Sequence, residues 1–210
     1  MAVHGHPHPH ADTRFTFRRT NRAAGTARTA PADRALAASP TLGRTLAGLR
    51  LVTAFTFLWA FFDKTFGWGY ATRSGKGWID GGSPTKGFLS GVAAGPLEST
   101  FHSWAGDTWA DWLFMLGLLG IGITLASGVA LRLTAVAGTT LMALMWAAEW
   151  PPARHLSDGT LSASSNPLID YHVLYAAVLI TLAVAGAGRT WGLGRRWERL
   201  PFVGDRSWLR

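Results

Sequence analysis

Residues 112–148 read WLFMLGLLGIGITLASGVALRLTAVAGTTLMALMWAA, and their only ionisable side chain is Arg132. A helix rises about 1.5 Å per residue and a bilayer's hydrocarbon layer is about 30 Å thick, so about 20 apolar residues make one crossing. This stretch holds two such lengths, divided at Arg132. A further run, VLYAAVLITLAVAGAG over 173–188, has no charge at all. A soluble domain would spread its charges along every exposed face. Here they are segregated, and the expected fold class is all-α: an integral membrane four-helix bundle with a long outer loop that carries short interfacial helices.

Four spans are expected, at 46–66, 109–131, 133–150 and 168–188. The last reaches crossing length only if 168–172 are counted. The SSNP before it offers an N-cap residue and a proline for the first helical position. That places Asp170 and His172 in the first turn or two, near headgroup depth. Residues 1–45, rich in Ala, Arg, Thr and Pro without an apolar period, read as a disordered basic cytoplasmic tail. Residues 46–190 form the membrane domain and 191–210 a basic amphipathic cytoplasmic tail. The opening HGHPHPH reads as an incidental polar tail. Arg18-Arg19 lacks the apolar run and cleavage pattern of a twin-arginine signal.

The chain has 210 residues, 15% charged, with a net charge of +8 and no cysteine. Disulfides, thiolate metal sites and a thiol nucleophile are therefore excluded. Eight arginines fall in 1–50, six in 189–210, and Arg132 joins the second and third spans, giving fifteen of the twenty basic residues. The other five, Lys64, Arg73, Lys76, Lys86 and Arg154, fall in the remaining connections. The positive-inside rule then puts both termini in the cytoplasm of a multi-pass cell-membrane protein. The C-terminal GRTWGLGRRWERLPFVGDRSWLR, with Arg between Trp, Leu and Phe, is expected on anionic membrane lipid, which accounts for the charge without nucleic acid.

Each span carries an acid at its outer end: Asp63, Asp111, Glu149 and Asp170. Lys64 and His172 stand beside them, and tryptophans near the same level form an interfacial belt. One such acid merely ends a helix at the interface; four with a Lys and a His favour a polar pocket. Asp170 and His172, two apart, are expected on different sides of their helix, whereas His172 and Tyr175 share a face. An imidazole beside a carboxylate can pass protons at neutral pH. Outside the opening HGHPHPH no H-x-x-x-H or E-x-x-H spacing occurs, so no metal is expected. In the outer loop GKGWIDGGSPTKGFL, Ser83 and Pro84 can start a short helix, and the glycines lack phosphate-loop spacing. Leu97, Phe101 and Trp104 recur as a second short helix.

DWLFMLGLLGIGITLASGVALRLTAVAGTTLMALMWAAEWPP and NPLIDYHVLYAAVLITLAVAGAGRTWGLG resemble the DoxX superfamily, especially its DoxD branch, the large membrane subunit of thiosulfate:quinone oxidoreductase. The FFDK end of the first span and the GWIDGGSPTKGFL loop agree, and the likeness covers roughly 46–195. It implies a four-helix bundle passing electrons from a sulfur donor to membrane quinone, beside a small DoxA-like subunit. A thiosulfate dianion would need cations, and Lys64, Arg73 and Lys86 are available on the outer side. No flavin, haem or iron–sulfur motif is visible. The expected catalytic residues are His172, Asp170 and Glu149, with Lys64, Asp63, Arg73, Lys86, Asp111 and Tyr175 at the substrate. The alternative is a non-catalytic scaffold docking redox or thiol-handling enzymes.

Overall fold

The computed structural model of the chain describes residues 1–2, 39–204 and 206. HGHPHPH, the Arg18-Arg19 pair, most of the tail read as disordered and the last four residues lie outside them. The described helices belong to one compact unit, Ala38–Arg210. Among the described residues all regular structure is helical, apart from an isolated bridge between His155 and Leu161. Three helices are long and apolar enough to cross a membrane: α1 Pro40–Phe66, α4 Thr108–Ser127 and α5 Leu131–Glu149. Two short helices, α2 Lys86–Leu89 and α3 Glu98–Trp104, lie in the connection after α1. α6 Tyr171–Val184 has 14 residues, about 21 Å of helix and short of a crossing by itself.

The ends of these helices are set by capping residues, and they correct the expected bounds. α1 starts at Pro40, well before 46, because Ser39 caps it by accepting from Leu42 N and Pro40 takes the first position. It stops at Gly67, whose left-handed φ of 64° lets its N–H reach Asp63 O. α4 ends at Gly128, with φ 73°, so the second span stops there and not at 131; Arg132 sits in the first turn of α5. The fourth helix is shorter than the expected 168–188. SSNP does not start it, because Asn166 Oδ1 turns back on Leu168 N and Ile169 N at 2.9 and 3.1 Å. Asp170 is the true N-cap, accepting from Val173 N.

α1 packs along α4, and α5 along α6. In both pairs a glycine sets the approach. A Cβ on Gly122 would lie 2.7 Å from Leu58, and one on Gly138 would overlap Leu179. Apolar helices in lipid gain little from burying more apolar surface, so close contact at small residues holds them together. Phe57, Met115, Leu118, Ile121, Leu179 and Leu182 fill the space between.

At one end, Arg50 is fully buried. Its Nη1 donates to Leu125 O and Ala126 O, and its Nη2 to Trp191 O at 2.9 Å. The last carbonyls of α4 lack helical partners and carry the negative end of its dipole, so a guanidinium is well matched there. At the opposite end the long connection folds down as a cap. Phe101 of α3 packs with Val92 onto Ala148 of α5, and Ser157 bonds Ala93 O and Glu98.

Candidate functional site

His172, in the first turn of α6, is 1% exposed. Its Nδ1 is 2.8 Å from Asp170 Oδ2 and 4.0 Å from Glu149 Oε2 at the end of α5. Tyr171 donates its hydroxyl to Glu149 Oε1 at 2.5 Å. Its ring lies 4.0 Å from the imidazole, centroid to centroid. The expectation that Asp170 and His172 diverge holds only for two helical residues. Asp170 is extended, at φ −113° and ψ −171°, so its carboxylate swings over the helix start and reaches both Val173 N and the imidazole.

The four outer acids do not converge. Asp63 is buried and accepts from Thr72 N at 2.8 Å and Tyr70 N at 3.4 Å. Asp111, also buried, accepts from Ser83 Oγ, Thr85 N and Thr85 Oγ1 at 2.9, 2.9 and 2.6 Å. Both hold the connection between α1 and α4 against the helices. Lys64 places its ammonium 5.7 Å from the centre of the Phe114 ring; Arg73 is exposed in the loop and Lys86 at the start of α2. Tyr175 is half-buried and meets Phe57 edge-on, with ring centres 6.2 Å apart.

A cleft of about 460 Å³ opens over Glu149, Asp170 and Tyr171. Ser162, Ser165 and Asn166 form its polar wall and Phe88 part of its apolar one. No Lys or Arg among the described residues lines it, so the charges these residues bring to it are two carboxylates. Sequence reasoning missed the serine wall and the Tyr171–Glu149 bond, since nothing local in SASSN or in Tyr171 announces a partner more than twenty residues away.

Nδ1 of His172 faces carboxylates, but Nε2, on the opposite edge of the ring, has no hydrogen-bonding partner among the described residues. A buried nitrogen left so costs about 1–3 kcal/mol. Glu149, Asp170 and His172 bring one ligand atom each within 4.8 Å of one another and could hold a divalent cation. A cation on Nδ1 would displace the Asp170 bond and leave Nε2–H without an acceptor, whereas metal-binding imidazoles usually donate their second N–H. The hydrogen-bonded pair accounts for the geometry better. A carboxylate on Nδ1 fixes the tautomer and leaves Nε2 as the reactive edge. Compared with protein-family models, with characterised proteins and with solved structures, the chain matches none.

Proposed function

We propose that the chain is the multi-pass membrane subunit of a quinone-linked oxidoreductase of the DoxD kind, and that His172 carries protons between the outer carboxylates and a quinone in the membrane. The observation that carries the reading is the buried imidazole with acids at one nitrogen and an unpartnered second nitrogen. Quinone reduction consumes two electrons and two protons. In its Nε2–H form the ring can release that proton on the buried side, which a lipid-soluble ring would approach, while Nδ1 takes one from a protonated carboxyl of Glu149 or Asp170. The Nδ1–H form so produced, held by Asp170, exchanges tautomers before the next proton. The cleft then serves as the aqueous entrance.

Four crossings with both termini cytoplasmic fit this reading. Tyr171 bonds Glu149 at the end of α5, and Gly188 lies against Gly128 at the turn before α5. Residues 171–188 therefore cover the length that α5 covers, although only 14 of them are α-helical. The donor is a separate matter. A thiosulfate dianion would be repelled by the carboxylates of the cleft, so its oxidation belongs with Lys64, Arg73 and Lys86 or with a DoxA-like partner.

The test is thiosulfate-dependent reduction of a soluble quinone by membranes holding the chain and its partner subunit. His172→Gln should lower turnover by roughly tenfold or more at an unchanged amount of folded protein. Wild-type turnover in that variant would remove the relay, and no turnover in any membrane would favour a scaffold that docks redox enzymes.

A further inference from the structure

The sequence after α6 reads as a tail, but the structure builds it into a platform. α7 Gly194–Trp197 and α8 Pro201–Gly204 follow a tight turn at residues 190–193. Three contacts bind that turn to the helix ends. Leu193 N donates to Ser127 O at 2.7 Å. Arg50 Nη2 donates to Trp191 O at 2.9 Å, holding Trp191 in the left-handed region at φ 51°. Gly194 is buried, and a Cβ there would lie 2.7 Å from Gly188 C. Val203 is fully buried beneath.

What this platform turns outward is of two kinds. Trp191, Leu193, Leu200 and Phe202 are 63, 48, 38 and 56% exposed. Arg195, Arg196 and Arg199 are exposed among them. The one acid in 189–204 is Glu198, and it is bound to Arg189 at 2.9 Å. Three cations are thus interleaved with large apolar groups on a rigid support at the ends of the apolar helices. Interfacial segments with this composition sink their apolar groups to the acyl boundary and hold phosphates with their arginines.

We propose that residues 191–203 form a fixed docking surface for anionic phospholipid, coupled through Arg50 to the closing of the bundle at that end. The occupant follows from continuity and charge. Any bilayer that surrounds α1, α4 and α5 meets this platform at its edge, and Glu198, the one acid among the platform's described residues, is bound to Arg189 and not to Arg195, Arg196 or Arg199. Arg50 bonds the end of α4 and the platform at once, so lipid bound outside and helix ends closed inside stabilise each other by the same factor.

This inference rests on the membrane reading, which carbonate extraction reports separately, so loss of one is told from loss of the other. The chain has no cysteine, so Leu193→Cys or Phe202→Cys carries a single environment-sensitive NBD label. The full chain is reconstituted into vesicles of phosphatidylcholine alone, or of phosphatidylcholine with phosphatidylglycerol. The anionic lipid should move both labels' emission to shorter wavelength, and salt should weaken the effect. Arg195→Gln/Arg196→Gln/Arg199→Gln should abolish the response to phosphatidylglycerol. Equal emission in both vesicles, or a response that survives in the triple variant, overturns the proposal. So does an equal shift with inorganic phosphate in neutral micelles, which would mean a small-anion pocket. Quenched water access in neutral vesicles at high protein density alone would mean contact with a second chain and also overturns it.

Discussion

His172 Nδ1 stands 2.8 Å from Asp170 Oδ2 with only Tyr171 between the two residues. One carboxylate thereby caps α6 with one oxygen and orients an imidazole with the other. The two roles separate under substitution. Asp170→Asn keeps a capping oxygen and should hold the melting temperature while changing what Nδ1 meets. Asp170→Ala loses both and should cost about 1 kcal/mol through the cap. Thermal unfolding in detergent beside quinone turnover checks this. Lower stability in Asp170→Ala alone, with the parent's activity in both variants, would assign Asp170 to the cap alone.

Asp111 is expected to matter for the outer connection and not for chemistry. It is buried, and three donors from Ser83 and Thr85 converge on one of its oxygens. Removing a buried charged acceptor costs about 1.5–3 kcal/mol. Asp111→Ala should therefore open residues 81–97 to limited proteolysis before the bundle unfolds. Resistance equal to that of the parent chain would show that the loop is held by other contacts.

Glycine spacing gives a third expectation. The packing of α5 on α6 leaves no room for a side chain at Gly138 beneath Leu179. Gly138→Val should destabilise by about 1–3 kcal/mol through overpacking. Adding Leu179→Ala should recover part of the loss, because the two side chains compete for one volume. Additive losses in the double variant would place the strain elsewhere.

The apolar runs made the helices legible, because a charge-free stretch of about 20 residues has few other uses. Their ends were less so. Ser39, Gly128 and Asp170 set boundaries through hydrogen bonds, and a hydropathy pattern does not distinguish one small or polar residue from the next. The site was half legible. His172 and Asp170 stood out as titratable groups beside an apolar run, but whether four outer acids share one pocket depends on how the loop returns. Asp63 and Asp111 were drawn off by loop amides and hydroxyls whose positions no local spacing encodes. The burial of Arg50 was not legible for a related reason: nothing local to it shows that the end of α4 and the turn at Trp191 enclose it.

The start of α1 can be tested by truncation. A chain beginning at Ser39 keeps the cap, Pro40 and the close approach at Gly43, where an added Cβ would lie 3.0 Å from Thr190 Oγ1. One beginning at Leu46 loses all three and the first turn and a half. The shorter chain should melt measurably lower than the Ser39 chain, by about 1 kcal/mol for the cap alone. Identical melting would mean that residues 40–45 add nothing to the packed unit.

The last expectation concerns how often the chain crosses the membrane. Burial of Arg50 removes one residue from the fifteen that set the orientation, and the remaining fourteen still outnumber the five on the other side. Four crossings put Ser99, exposed in α3, and Arg206, exposed after α8, on opposite faces. Three crossings, with the 14-residue α6 dipping in and returning, would put them on the same face. Length alone favours three, because about 21 Å of helix falls short of a layer about 30 Å thick. Continuity favours four, because residues 171–188 join the Glu149 end to the Gly128 end, with a separate turn at Ala187–Arg189 following the left-handed Gly186. The chain lacks cysteine, so Ser99→Cys and Arg206→Cys each report one position. An impermeant maleimide applied to intact cells should label the first and spare the second until the membrane is opened. Labelling of both from outside would reduce the crossings to three and move the basic platform to the outer face.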